Sequence, residues 1–464
     1  MPATNPAFMT VSQLLELYLA RKLSPVEVLE SSLKRLDAEQ PRLNPFCLID
    51  REMGHRMARE SEARCMKGEP KGRLDGIPMP VKDTNAAKGW PFRMGSLTTS
   101  PDPVDYDSPM VARLRENGAV FFGKTTTPEF GWKGVTDSPL SGITRNPWNP
   151  DKAAGGSSGG AAVSVATGIA PIAVAGDGGG SIRMPGGFSG VFGIKPTFGR
   201  VPVLPTVGVG DMSVPGPMSR TVDCAARMLR VVAGHDDRDP YAVPLPDIDY
   251  VGQLEQGVKG LRIGYSADLG YIKVVDPRIA EAIAKCMKVF EDAGAVVEQA
   301  DPGFPDPRPA MNTIWYSSNA RRLRMMTSEQ IKLTEPDLLE CSVKGLSLTA
   351  SDFIDAQAVR QQMMVTMQVF HRKYDLLMTP MMPIVAFDAG ITTPDKKKFP
   401  EWWDWSPFTW PFNMTRQAAA TCPAGFVDGL PIGLHIVGPL FREDVILRAA
   451  AVFEKARPFK MPRS

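Results

Sequence analysis

The sequence of 464 residues predicts an α/β fold in which helices are layered on a largely parallel sheet. First, segments of helical periodicity alternate with short apolar runs typical of strands. Second, the composition is that of an ordinary globular protein, with 43% hydrophobic and 22% charged residues, which excludes a disordered, collagen-like or coiled-coil chain. Third, glycine (42) and proline (43) are frequent, which indicates many turns and backbone-lined sites.

Two amphipathic helices are predicted at the start of the chain. One covers residues 11–22, and the second begins after Ser24, which with Pro25 is typical of an N-cap and a first helical residue. Residues 76–83 are a short apolar run bounded by turn residues. The other predicted helices cover 110–117, 161–168, 277–294 and 443–456, and the predicted strands cover 119–125, 171–177, 261–266, 295–300, 374–383 and 429–438.

The length corresponds to about three average domains or to one large domain. Because no glycine–serine linker divides the chain, we predict a single domain over residues 1–464. Within it we expect N-terminal helices at about 10–40, a core at 60–235 and an insertion at about 300–350 that shapes the substrate site. We also expect a loop at about 235–257.

Charge and cysteine content exclude several classes of function. The 53 basic and 51 acidic side chains leave a net charge of +2, so neither nucleic acid nor an anionic membrane is an expected partner. The six cysteines include no C-x-x-C pair, so we expect no metal, no cofactor and a reducing, cytoplasmic location. No signal peptide is visible, and the uncharged segment 153–176 is too rich in glycine, alanine and serine for a membrane span.

Two serines between residues 153 and 187 are flanked by glycines. Ser157 lies in the glycine-rich segment 155–160, and Ser181 follows Asp177 and three glycines. Glycines let a ligand approach the backbone closely, and N–H groups that lead into a helix can bind an oxyanion. These segments therefore indicate a site for acyl-transfer chemistry.

Three other interpretations of the glycines compete with this one. A Walker A loop would require a Gly-Lys-Ser/Thr element, which is missing. Residues 155–159 match the G-x-S-x-G nucleophile elbow, but a polar, proline-broken segment precedes them instead of a strand. A flexible turn is the commoner explanation for one glycine cluster. Two clusters that flank one helix–strand unit favour a site.

A nucleophilic serine needs a base. None of the four histidines (His55, His235, His371, His435) lies near either serine motif in the sequence, and His435 is typical of a strand residue. Lys82 lies in an apolar, proline-stiffened segment, and burial there would lower its pKa and make it a usable base. The alternative, common for an arbitrary lysine, is a surface side chain.

A second serine–lysine motif has a different interpretation. Residues 31–34 match the S-x-x-K pattern of β-lactamase-like enzymes, but they lie on an amphipathic helix and lack the companion S-D-N and K-T-G elements. We therefore interpret this motif as solvent-facing.

Together these motifs resemble the amidase signature enzymes over essentially the whole chain. Ser157 and Ser181 lie 24 positions apart, as the corresponding serines do in that family. The other segments that carry the resemblance are 75–83, 118–132, 193–201 and 411–438. The resemblance implies a three-layer α/β/α fold with a large mixed, mostly parallel central sheet.

It also implies amide hydrolysis through an acyl-enzyme. Ser181 would be the nucleophile, Ser157 the bridging serine after a cis peptide bond, and Lys82 the terminal base. The remaining implied site residues are Gly178, Gly179 and Gly180 of the oxyanion hole and the supporting residues Ser158, Asp177 and Arg183. Two departures from the family pattern are Gly178, which is expected to loosen the oxyanion loop, and Arg416, which is expected to alter the pocket.

Clustered aromatic residues suggest the substrate. Trp315, Tyr316, Trp405 and Trp410 are candidate pocket residues for aryl or hydrophobic amides. These residues could equally fill the core or a subunit contact. The expected partner is a small amide, while esters, carbamates and a homodimer are left open.

Two alternative functions remain. One is the glutaminase (A) subunit of a tRNA-dependent amidotransferase, although residues 201–217 differ from the run that this subunit usually has. The other is a non-catalytic ligand-binding homologue, which the intact serine and lysine positions disfavour.

Overall fold

A mixed sheet of eleven strands lies at the centre of the computed structural model, which describes residues 5–204, 210–244 and 246–462. Part of the run 201–217 therefore lies outside the described residues. The described strands are β1 (Phe46–Ile49), β2 (Val81–Lys82), β3 (Gly123–Thr125), β4 (Asp137–Ser138), β5 (Gly142–Ile143), β6 (Ile172–Asp177), β7 (Phe192–Lys195), β8 (Val214–Ser219), β9 (Arg262–Tyr265), β10 (Val296–Gln299), β11 (Leu376–Pro380), β12 (Ala419–Val427) and β13 (Leu430–Val437).

The helices surround this sheet. In the same described ranges they are α1 (Val11–Leu19), α2 (Pro25–Leu43), α3 (Arg51–Lys67), α4 (Pro109–Glu116), α5 (Gly159–Ala166), α6 (Arg183–Ser189), α7 (Val222–Val232), α8 (Pro277–Asp292), α9 (Arg308–Arg324), α10 (Ser328–Leu333), α11 (Pro336–Lys344), α12 (Ala350–Phe370), α13 (Pro411–Met414) and α14 (Glu443–Ala456). None of the described helices is both long enough and apolar enough to cross a membrane.

The sheet has the strand order β1-β3-β2-β6-β8-β7-β12-β13-β11-β9-β10. Within this sheet the described pairings β2–β3, β2–β6, β9–β10 and β9–β11 are parallel and the other six are antiparallel. The two remaining described strands, β4 and β5, form a separate antiparallel pair. The α/β class and the mixed sheet are confirmed, but the parallel share is smaller than expected. The reason is that antiparallel β8, β7, β12 and β13 separate the two parallel groups.

The hairpin between β12 and β13 explains part of this difference. Its two turn residues, Asp428 and Gly429, both have positive φ (52° and 75°), as the tightest hairpin turns require. A two-residue turn can join only antiparallel neighbours. The Asp-Gly pair between two apolar runs was the sequence signal for this hairpin.

Alternate residues of β6 pack on opposite faces of the sheet. Ile172 and Val174 belong to a hydrophobic cluster that includes residues of α4, α7, α8 and α14. Ala173 and Ala175 belong to a second cluster, formed with α5. Because side chains alternate along a strand, helices cover both faces, and the three-layer α/β/α architecture is confirmed.

The N-terminal helices begin where the sequence predicted. Thr10 and Ser24 each form a capping box at the start of α1 and α2. The predicted strand at 119–125 is shorter than expected, because only Gly123–Thr125 pairs continuously and Val120 forms an isolated bridge to Pro78. The sequence interpretation did not include α3, β8 or β12.

The segment 300–350, expected to be an insertion, is mostly helical. It contains α9, α10 and α11, and α9 packs against α11 and α12. Thr327 and Thr349 form capping boxes, and prolines occupy the first turns of α9 and α11. These cap signals divide the segment into short helices.

Candidate active site

Lys82 ends the short strand β2 inside the protein, with 2% of its surface exposed. Its Nζ is hydrogen-bonded to Ser157 Oγ at 2.7 Å. Burial lowers the pKa of Lys82 from 10.5 to about 7, although the nearby Asp177 carboxylate opposes the shift. A large fraction of this amine is therefore uncharged near neutral pH and can accept a proton from the serine.

The carboxylate next to Lys82 in the chain is occupied elsewhere. Asp83 pairs with Lys124 Nζ at 2.7 Å and accepts the Gly95 N–H at 2.9 Å. No ion pair among the described residues involves Lys82. Because an adjacent carboxylate would favour the ammonium form, this pairing helps to keep the Lys82 amine uncharged.

Ser157 lies in the first glycine-rich segment, which contacts the second one at Ser181. The Gly156–Ser157 peptide bond is cis, as the resemblance implies. The next residue, Ser158, donates its N–H to the Ser181 carbonyl at 3.1 Å. On the other side, Gly131 has φ 69°, and a β-carbon there would lie 3.2 Å from Ser157 Oγ. The bridging serine thus lies against Gly131, and its neighbour Ser158 is tied to the backbone of Ser181.

The Asp177 carboxylate organises the loop that precedes Ser181. It accepts the Gly180 N–H at 2.7 Å, so this N–H is not available to an oxyanion. The N–H groups of Gly178, Gly179 and Ser181 have no hydrogen-bond partner within the part of the chain that the structure describes. These three are the candidate oxyanion donors.

Arg183 forms a buried ion pair with Asp177 and holds its carboxylate in place. Both side chains are fully buried, and Arg183 Nε donates to Asp177 at 2.9 Å. Burial alone would raise the pKa of Asp177, but the charge and hydrogen bonds of Arg183 hold it well below its usual range. Asp177 therefore remains an ionised acceptor for the loop.

Two further residues support this loop and were missed by sequence reasoning. Asn413 Nδ2 donates to the Asp177 carboxylate at 2.9 Å, and Thr409 Oγ1 donates to the Gly179 carbonyl at 2.7 Å. Gly180 has φ 121°, and a β-carbon there would lie 2.4 Å from Thr409 Oγ1, so only glycine is accommodated. Asn413 lies in the segment 411–438 that carried the resemblance, which was the available signal.

His435 lies in β13, so its interpretation as a strand residue is confirmed. Burial, followed by the Arg183 charge, lowers its pKa well below the ordinary value. The neutral ring lies with Nε2 3.1 Å from Arg183 Nη1, which donates to it. His435 therefore supports Arg183 and does not touch either serine.

Lys82, Ser157 and Ser181 line one cavity of about 840 Å³, including its opening to solvent. Gly178 lies on the same wall. The apolar lining residues include Met94, Met110, Phe130, Trp132 and Trp315, and the polar lining residues on α9 are Ser318, Asn319 and Arg322. The lining is thus part apolar and part polar, and a cavity that combines apolar side chains with convergent polar groups is typical of a small-molecule site.

Only one of the four predicted aromatic residues lies in this cavity. Trp315 lines it, whereas Tyr316 donates its hydroxyl to Glu401 at 2.8 Å. Trp405 is fully buried in the core, and Trp410 lines a different cavity. Phe130 and Trp132, which do line the cavity, lie within the segment 118–132 and were not singled out.

Arg416, the second departure from the family pattern, lies outside this lining. Its guanidinium pairs with Asp211, which also pairs with Arg360 at 2.6 Å. The structure therefore connects Arg416 with an ion-pair network and not with the cavity wall.

Glu335, at the start of α11, connects the helices over the cavity to its wall. Its carboxylate accepts from Trp132 Nε1 at 2.8 Å and pairs with Lys133. Its backbone N–H donates to the Glu129 carboxylate at 2.7 Å. One residue of segment 300–350 thus holds the segment that contains both Phe130 and Trp132.

No group of three or more histidine, cysteine, aspartate or glutamate side chains is arranged to hold a metal ion within residues 5–204, 210–244 and 246–462. The arrangement that the site does offer is a buried amine, two hydroxyl groups and free backbone N–H donors around one cavity. These are the groups that acyl transfer requires.

Comparisons with known proteins agree with this chemistry. A family model described as Amidase matches residues 27–447. The chain is 35% identical to an acylamidase of Rhodococcus erythropolis over 99% of this chain and 98% of that protein. It is 32% identical to the (A) subunit of a glutamyl-tRNA(Gln) amidotransferase of Carboxydothermus hydrogenoformans, covering 98% and 99%. A solved bacterial aryl acylamidase of the amidase signature family superposes with a TM-score of 0.91, 30% identity and 97% coverage of both chains.

Proposed function

Because this chain belongs to the amidase signature family of amide-bond hydrolases, we propose that it cleaves aryl or hydrophobic carboxylic amides through an acyl-enzyme on Ser181. The observation that carries the proposal is the buried 2.7 Å contact between Lys82 Nζ and Ser157 Oγ beside Ser181. It supplies a base whose pKa is near neutral and which needs no histidine.

The first half-reaction forms the acyl-enzyme. Uncharged Lys82 takes a proton from Ser157, and Ser157 takes one from Ser181 as Ser181 Oγ attacks the amide carbon. The tetrahedral oxyanion accepts hydrogen bonds from free N–H groups among Gly178, Gly179 and Ser181. Loss of one such donor costs about 10²- to 10³-fold in other enzymes, so this loop should contribute nearly as much to the rate as the base.

Collapse of the tetrahedral intermediate releases the amine. Ser157 returns a proton to the departing nitrogen, and Lys82 in turn reprotonates Ser157. Water then attacks the Ser181 ester through the same relay, releasing the acid and restoring the enzyme. The reaction converts one amide and one water into one carboxylic acid and one amine.

The cavity lining supports the choice of substrate. Phe130, Trp132 and Trp315 offer flat apolar surfaces, and Met94 and Met110 offer flexible ones. Trp315 belongs to the insertion, so we propose that the segment 300–350 shapes the substrate site within a single domain. Anilides and arylalkyl amides should have higher kcat/KM than small charged amides such as malonamate.

Covalent trapping tests the nucleophile. A fluorophosphonate probe should add its mass to the peptide that contains Ser181, and Ser181→Ala should remove both labelling and amide hydrolysis. Ser164→Ala is a matched control, since Ser164 is a buried serine on α5 whose hydroxyl has no described partner. Adduct mass on a peptide without Ser181 would contradict the assignment.

The second candidate function is that of a glutaminase subunit of a tRNA-dependent amidotransferase. It is favoured by the 32% identity to such a subunit, which is only slightly below that to the acylamidase. This candidate would be favoured if the isolated chain hydrolysed glutamine but no aryl amide, or if its glutaminase activity appeared only after partner subunits were added and co-eluted with it in gel filtration.

A further inference from the structure

An arginine that forms no ion pair with any described residue lines the active-site cavity. Arg322, near the end of α9, lies with its guanidinium carbon 4.3 Å from the centre of the Phe130 ring. Phe130 precedes Gly131, the residue that abuts Ser157 Oγ. The guanidinium is thus stacked on a ring of the cavity wall, and the residue after that ring, Gly131, lies against the bridging serine.

The hydrogen bonds of Arg322 leave one edge of the guanidinium open. Nη1 donates to Asn319 Oδ1 at 3.0 Å, whereas Nε and Nη2 have no partner in the part of the chain that the structure describes. No described carboxylate pairs with Arg322. Burial lowers its pKa to about 10, with Glu129 opposing, so the side chain stays charged at neutral pH.

The carboxylate of Glu129, whose charge favours the protonated form of Arg322, is occupied by other donors. The Glu129 carboxylate accepts the Ser96 hydroxyl at 2.6 Å and the Glu335 N–H at 2.7 Å. Arg183, by contrast, pairs with Asp177, and its other donors bond to Thr409, Asn413 and His435. A cation that lines a cavity and keeps two parallel donors free is arranged for a planar anion, because these donors match the two oxygens of a carboxylate.

We propose that Arg322, which Asn319 Oδ1 holds in place, forms a subsite for a carboxylate that the substrate carries remote from its scissile amide bond. This proposal rests on the proposed function and narrows the substrate class to aryl amides with a distal carboxylate. A carboxylate one carbon from the scissile carbonyl, as in malonamate, would lie beside the serines instead.

Matched substrates test the subsite on either side of the amide bond. 4-Acetamidobenzoate and acetanilide differ by a carboxylate on the amine side, and glutaranilate and valeranilide differ by one on the acyl side. In the wild-type protein, kcat/KM should be higher for the carboxylated member of at least one pair. Arg322→Gln should lower that ratio by about tenfold or more, the usual effect of losing hydrogen bonds to a charged group.

Two variants act as controls. Arg324→Gln, which removes an exposed arginine two residues away on the same helix, should leave the ratio unchanged. Arg322→Lys should retain part of the preference, because it keeps the charge but loses the paired donors. If Arg322→Gln fails to fold, Arg322→Lys replaces it in the test, and its ratio should lie below that of the wild type.

A ratio that is equal in wild type and Arg322→Gln for both pairs would overturn the subsite. If the wild type hydrolysed none of the four amides, the proposed function would fail. Measurements of ligand binding would then test separately whether the carboxylate subsite exists. In Ser181→Ala, calorimetry should then show tighter binding of 4-acetamidobenzoate than of acetanilide, with the difference lost on adding Arg322→Gln. Equal affinities in Ser181→Ala would overturn the subsite too.

Discussion

Two regions face the same cavity but are built differently. The first, which we call the serine core, is segment 155–183 together with Lys82. Every residue of that segment is buried except Gly176 and Gly178. The second, the helical cover, is segment 308–370. It exposes large apolar side chains, including Met325 (69% exposed) and Ile354 (65%).

The two regions also differ in how their polar groups are paired. In the serine core, Asp177 and Arg183 bond to each other, and Thr409 and Asn413, which lie outside it, bond to the Gly179 carbonyl and to Asp177. On the helical cover, Arg322 leaves donors open towards the cavity. The difference suggests that the core sets the chemistry for every substrate, whereas the cover sets which substrate is held.

The largest effect is expected from the base. Lys82→Met should lower kcat/KM by roughly 10²- to 10⁴-fold, the usual contribution of a general base, and equally for all amides in a panel. Lys88→Met, at an exposed lysine six residues on, is the matched control. If Lys82→Met kept wild-type turnover, or lost activity towards only some substrates, the serine core would not set the chemistry for every substrate.

The pH profile is expected to show the next largest effect. The base works only when uncharged, and burial lowers the pKa of Lys82 to about 7. Below pH 7, kcat/KM should therefore fall about tenfold per pH unit, and above it should level off. Stopped assays on acetanilide from pH 5 to 9 would measure both the fall in kcat/KM below pH 7 and the plateau above it. If kcat/KM still rose about tenfold per pH unit up to pH 9, the lysine would have to be solvated.

A smaller effect is expected from the loop support. Thr409→Val removes the donor to the Gly179 carbonyl and should lower kcat by about two- to tenfold with little change in KM, the size of one net hydrogen bond. Thr421→Val is the control, because the Thr421 hydroxyl is buried without a described partner and its loss should be neutral or stabilising. Equal effects of the two variants on kcat would remove Thr409 from the support of the loop.

The smallest effect is expected where the cover meets the wall. Glu335→Gln weakens the contacts to Lys133 and Trp132, so KM should rise about two- to fivefold, with kcat less affected. Glu329→Gln, at an exposed acid on α10, should change neither constant. A loss in kcat alone would assign Glu335 to the chemistry and blur the distinction between cover and core.

Local signals made much of the core predictable. The glycines beside Ser157 and Ser181, the apolar segment around Lys82 and the caps at Thr10 and Ser24 act over a few residues of chain. Asn413 and Thr409 could not be found in this way, because they meet the loop from about 230 residues away in sequence. Only the fold brings them to Asp177.

Composition was a poorer guide to the cavity. Trp405 and Trp410 lie in the same aromatic cluster of the sequence, yet one is buried in the core and the other lines a different cavity. Burial of a large apolar side chain is favourable in free energy both in the core and in a cavity wall. Clustering in the sequence therefore cannot tell which of these two places a residue occupies. Arg322 went unnoticed because three arginines occur in residues 321–324 and only the structure distinguishes them.

The pairing of Asp83 with Lys124 has a consequence for chemical labelling. An amine that is uncharged at neutral pH is a better nucleophile than the protonated lysines on the surface. Small electrophiles such as cyanate should therefore carbamylate Lys82 ahead of the surface lysines. Ageing in urea solutions, which contain cyanate, should then inactivate the enzyme before it changes the surface charge.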